Sequence, residues 1–180
     1  KTQTPVAIII PDSDFSTHLS DAPPFPELRL FSGENWKDEK TQIYCMTDMN
    51  LLYIKVLCHD SNPDMLVKIF SMAEGSSSAW KDDSIEVFLM KDFLSNEYYQ
   101  FMASSSGKTH KSVMRIRDDD PRMGYGISGG PADDYVKVSE FDEGYMVELS
   151  IPLSFLKFDH DLRKEGFHMQ IVRNYRGEKK

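Results

Sequence analysis

Trp80-Lys81-Asp82-Asp83-Ser84-Ile85-Glu86-Val87-Phe88-Leu89 is the stretch that decides the fold. A polar, acidic loop runs directly into an alternating pattern. Ile85, Val87 and Leu89 fall on one face of a strand, and Ser84, Glu86 and Phe88 on the other. Glu86 is out of place among hydrophobes, where a carboxylate is costly unless paired or wetted. Glu148 stands in the same predicament within Tyr145-Met146-Val147-Glu148-Leu149-Ser150-Ile151-Pro152. Arg173 closes the run Met169-Gln170-Ile171-Val172-Arg173. The expectation is a structural ion pair in which Arg173 answers Glu86 and Glu148 within one sheet.

The segments on either side repeat the strand pattern. Ile43, Cys45 and Thr47 are set to face Val56, Ile54 and Leu52 across a tight turn at 48–51. Strands are expected at 84–90, 97–103, 109–116, 135–141, 145–151 and 167–173, with a Pro-initiated helical turn at 152–156. Residues 6–10 form a β-branched run ended by Pro11, and 27–31 offer another short strand. Residues 65–72 fit either a helical turn or a strand. Residues 117–133, rich in Gly and Pro, read as a long loop of the kind that carries function. Short strands at regular spacing with almost no helix predict an all-β fold. The predicted architecture is an antiparallel β-sandwich of jelly-roll or immunoglobulin-like form, a single domain, with a closed barrel as the alternative. Residues 1–40 are expected to be a lead-in with one or two strands packed on the sandwich, which occupies 41–180.

The 180 residues, 40% hydrophobic and 12% aromatic, can bury a sizeable core. A net charge of −8 argues against a nucleic-acid or anionic-membrane surface, both of which require clustered Lys and Arg. No apolar run approaches the length of a membrane span. The sequence begins at Lys1 rather than Met, so any signal peptide is expected to have been removed already. In the hairpin register Cys45 pairs with Ile54 and Cys58 with Thr41, about 13 Å apart along the sheet. That is too far for a disulfide, so two buried free thiols are expected.

The sequence carries no Gly-x-Ser-x-Gly elbow, His-Glu-x-x-His, Cys-x-x-Cys, phosphate loop or dinucleotide fingerprint. His18, His59, His110, His160 and His168 are not spaced as ligands. Glu86 and Glu148 invite comparison with the two carboxylates of a glycosidase. The ion-pair reading accounts for them better, and no catalytic residue is assigned.

Several motifs in sequence order resemble carbohydrate-binding module family 9 and its relatives in the DOMON-like superfamily. They are Leu52-Tyr53-Ile54-Lys55-Val56 followed by Asp60, the stretch from Trp80 to Leu89, and Tyr98-Tyr99-Gln100-Phe101 with Gly107. Gly144-Tyr145-Met146-Val147-Glu148-Leu149-Ser150-Ile151-Pro152 and Ile171-Val172-Arg173 complete the series. The resemblance spans roughly residues 41–174. It implies a sandwich that binds mono- or oligosaccharides without cleaving them, in a secreted or periplasmic carbohydrate-handling system. Calcium supports the fold in some members; here Asp60, Asp82 and Asp83 are the candidate ligands, and no other cofactor is implied.

Pyranose rings present C–H patches that stack on aromatic faces and hydroxyls that want charged or amide partners. Trp80, Tyr175, Arg173, Asn174, Glu86 and Tyr125 supply that mixture and are the predicted ligand-binding residues. Trp36, the other tryptophan, lies in the lead-in. Two alternatives stand beside sugar binding. One is a haem-binding redox domain of the DOMON type, drawing ligands from ten Met and five His. The other is a structural or interaction sandwich without a ligand.

Overall fold

The computed structural model describes residues 8–9, 40–48, 50–66, 81–92, 94–116, 124–127, 135–158 and 165–176. Among the described residues ten strands run in chain order: β1 (Ile8–Ile9), β2 (Thr41–Thr47), β3 (Leu51–His59), β4 (Ser84–Met90), β5 (Glu97–Ser104), β6 (Thr109–Ile116), β7 (Gly124–Ile127), β8 (Val136–Phe141), β9 (Gly144–Pro152) and β10 (His168–Asn174). They form two five-stranded sheets, ordered β1-β2-β3-β9-β8 and β10-β4-β5-β6-β7. The two sheets are separate, so the architecture is a sandwich rather than a closed barrel. All ladders are antiparallel except the short β1–β2 pair, which is parallel. Single turns of 3-10 helix occupy Pro63–Met65 and Leu153–Leu156.

The β2–β3 hairpin has the register that its alternation dictates: Ile43 with Val56, Cys45 with Ile54, Thr47 with Leu52. Asp48 sets the turn, its Oδ1 accepting the backbone N–H groups of Asn50 at 2.8 Å and Leu51 at 2.7 Å. The β8–β9 turn depends on Gly144 at φ +149°, where a Cβ would overlap the carbonyl oxygen of Cys58 on the neighbouring strand.

Between the sheets lies one apolar core. Leu52, Ile54, Val147 and Ile151 of the first sheet meet Ile85, Val87, Leu89 and Phe101 of the second. Phe155, from the turn after β9, packs edge-on against Tyr99 at 5.4 Å, and Leu156 beside it is buried. Cys45 and Cys58 are both buried free thiols within this core. Burial pushes Cys45 up to about 12. Burial also raises Cys58, to about 11, against the opposing pull of Arg173.

The long loop at 117–133 contains a strand, β7, which extends the second sheet beyond β6. The expected strand at 27–31, the ambiguous segment at 67–72 and Trp36 lie outside the described residues.

Candidate functional site

The outer face of the second sheet, turned away from the core, carries the polar cluster. Strand alternation buries Ile85 and Val87 at 1% and 0% exposure and so forces Glu86 outward. Flanking strands supply its partners. Asn174 of β10 donates from Nδ2 to Glu86 Oε1 at 2.7 Å, and Gln100 of β5 donates from Nε2 to Glu86 Oε2 at 2.7 Å. Asn174 is register-paired with Ser84 and Gln100 with Phe88, so both amides reach Glu86 diagonally from opposite sides. Asn174 Nδ2 also lies 3.2 Å from Ser84 Oγ, and Ser112 Oγ donates to Gln100 Oε1 at 3.4 Å. The result is a polar chain across four strands with a carboxylate at its centre.

This clasp resolves the predicament of a strand carboxylate. Glu86 is half-buried beside Met102 and Val172, its register partners, and Met102 is only 3% exposed. Two charge-assisted hydrogen bonds offset the desolvation of the charge. A carboxylate oxygen has two acceptor sites, so one hydrogen bond at each leaves Glu86 able to accept two more. Further along the same face, Phe88 and Tyr98 pack at 6.0 Å between ring centroids with their planes inclined by 58°. Burial raises the Tyr98 hydroxyl above its usual range, and the Glu86 carboxylate adds to that shift.

Arg173 does not join the cluster. It is paired with Ile85 and therefore leaves the sheet on the core side, whereas Glu86 is paired with Val172 and leaves on the outer side. Its Nη1 donates to Thr41 Oγ1 at 3.0 Å. The guanidinium lies 5.9 Å from the Tyr145 ring and 5.4 Å from the Tyr175 ring. Glu148 sits on β9 of the other sheet, paired in register with Lys55, whose ammonium is 3.7 Å away. The expected ion pair of Glu86, Glu148 and Arg173 is therefore absent among the described residues. Opposite outer faces also prevent the two glutamates from flanking one glycosidic bond.

The remaining predicted residues divide as follows. Asn174 and Glu86 come together directly. Tyr175 stacks on Arg173 at the end of β10, away from the Glu86 carboxylate's direct contacts. Tyr125 belongs to β7, paired with Arg115, three strands from β4. Trp80 lies outside the described residues. For calcium, Asp83 Oδ1 accepts the Arg176 backbone N–H at 2.8 Å and Asp60 Oδ1 accepts that of Asn62 at 2.8 Å. Among the described residues no three His, Cys, Asp or Glu side chains gather to hold a metal ion. Asp60, Asp82 and Asp83 are all buried, and these bonds make Asp60 the anchor of the turn at 60–62 and Asp83 an anchor for the chain after β10.

Gln100 is the member of the polar cluster that sequence reasoning missed. Its signal was a polar residue between Tyr99 and Phe101, the two inward positions of β5, but only the register shows that it reaches Glu86.

Among the described residues, no helix is long and apolar enough to cross a membrane. The family model described as "Carbohydrate family 9 binding domain-like" matches residues 20–180. No curated protein matches the sequence. Among solved structures, a family 9 carbohydrate-binding module from Caldicellulosiruptor kristjanssonii in complex with glucose is similar at 18% identity and a TM-score of 0.51, covering 83% of this chain. A module of the same family and organism in complex with cellotriose is similar at 19% identity and a TM-score of 0.51, covering 84% of this chain. The match spans 65% of the length of each of those two chains. At such identities the likeness is one of fold, and it agrees with the two-sheet architecture. Matched over most of its length, the chain belongs to the carbohydrate family 9 binding domain-like family.

Proposed function

We propose that this domain binds carbohydrate without cleaving it, and that the sugar's hydroxyls are held at Glu86, Gln100 and Asn174. The observation that carries the reading is a half-buried carboxylate clasped by two half-buried amides on the side of the sheet turned away from the core. Vicinal hydroxyls are donor-acceptor pairs with fixed spacing. A carboxylate with spare acceptor capacity, beside amides that both donate and accept, complements them. Preorganisation adds to this, because Glu86 is already held by its neighbours and loses little freedom on binding. Family membership and the sugar complexes of the similar folds support the same reading. The setting we infer is a secreted or periplasmic carbohydrate-handling system.

Calorimetric titration with glucose and cellotriose, backed by a glycan array, tests the proposal. Saturable binding to at least one sugar class, lost in Glu86→Ala, is the expected result. No binding to any class would overturn it.

A further inference from the structure

The polar cluster is continued along its strand by aromatic surface. Phe88 follows Glu86 by two residues on the same face, a displacement of roughly 7 Å. That is the scale of one sugar ring. Its register neighbours are Gln100 on β5 and Gln170 on β10, so amide-bearing residues flank it on both sides. Gln170 is exposed, and Phe88 and Tyr98 are each half-buried rather than sunk in the core. The core positions of these strands belong instead to Val87, Leu89 and Tyr99. The two rings contact each other at 6.0 Å, forming a broader apolar surface than either alone.

From this continuity, and resting on the reading of Glu86 as the hydroxyl-binding centre, we infer that the Phe88–Tyr98 pair is a second subsite, which makes the domain a binder of oligosaccharides rather than of single sugars. One unit engages Glu86, Gln100 and Asn174. The next lies over the rings, with its C–H face on the aromatic surface and its hydroxyls toward Gln170. An oligosaccharide fits better than a peptide or a lipid. Among the described residues this face sets two aromatic rings beside the amides of Gln100 and Gln170, the combination that a sugar's C–H faces and hydroxyls require.

The test compares monosaccharides with their β-1,4-linked trisaccharides (glucose, xylose, mannose and N-acetylglucosamine series) by calorimetry. The wild-type protein should bind the trisaccharide of its preferred series about tenfold more tightly than the monosaccharide, on the order of one good aromatic contact. Phe88→Leu preserves apolar bulk but removes the ring. It should abolish that gain while leaving monosaccharide affinity and the thermal midpoint unchanged; Tyr98→Leu provides a second probe should Phe88→Leu fail to fold. Equal affinity for one and three units, or equal weakening of both by the ring variants, would overturn the second subsite and leave the Glu86 centre standing. No binding in any series would overturn both.

Discussion

Glu86 and Arg173 sit on adjacent, hydrogen-bonded strands and leave their sheet on opposite sides. Arg173 is paired with Ile85, Glu86 with Val172. The carboxylate is answered by two amides on the outer face, and the guanidinium by Thr41 and two tyrosine rings on the inner one. The two charges therefore make separate contributions to stability.

A double-mutant cycle measures that separation. Glu86→Gln loses a charge-assisted hydrogen bond and turns an amide donor toward an amide donor, at a cost of about 1–2 kcal/mol. Arg173→Met keeps packing between the rings but loses the Thr41 bond and the cation–π contacts, again about 1–2 kcal/mol. The coupling energy from urea denaturation is expected to be below about 0.5 kcal/mol, since the two groups share no partner. Coupling of several kcal/mol would restore a direct ion pair.

Asn174→Asp is nearly isosteric and changes only the chemistry beside Glu86. It removes the Nδ2 donor and sets a second carboxylate against Oε1, which raises the pKa of the pair. A raised folded pKa means stability that is intact below the unfolded carboxylate range, near pH 4, and lost as pH rises through the folded value. The variant should therefore be weaker than wild type at pH 7, in both stability and sugar binding. Its stability deficit should shrink on acidification toward pH 4. A deficit that does not change with pH would contradict the contact.

The two core thiols give an alkaline signature. Cys45 is held at about 12 and Cys58 at about 11, against 9.0 for an exposed thiol. Their contribution is fully present below pH 9 and declines as pH rises through the folded values. The urea midpoint should fall between pH 9 and 11, and less steeply in Cys45→Ala. A disulfide-forming thiol reagent at pH 8 should label neither cysteine in the native protein and both in the denatured one. Rapid native labelling would place a thiol at the surface.

Much of the fold was legible because alternation is a local property. The faces of β4 and the complete register of the β2–β3 hairpin follow from residue types and one aspartate-led turn. The grouping of charges was not legible, because it depends on parity between strands distant in sequence. Arg173 and Asn174 are neighbours, and a shift of one residue moves a side chain from one face of a sheet to the other. That single step sends Asn174 to Glu86 and Arg173 toward the core. Gln100 escaped notice for the same reason, since its partner lies diagonally across a ladder whose register local sequence does not state. Glu148 sits mid-strand among hydrophobes just as Glu86 does, yet its strand pairs with β3 and β8 in the opposite sheet.

Where a sugar touches the protein is read directly by ¹H–¹⁵N correlation spectra during titration. The side-chain amide signals of Gln100 and Asn174 should shift on addition of a binding oligosaccharide, with backbone shifts along β4, while Lys55 and Glu148 on the other sheet stay fixed. Shifts confined to that other sheet, with Gln100 and Asn174 unmoved, would contradict the assignment of the site.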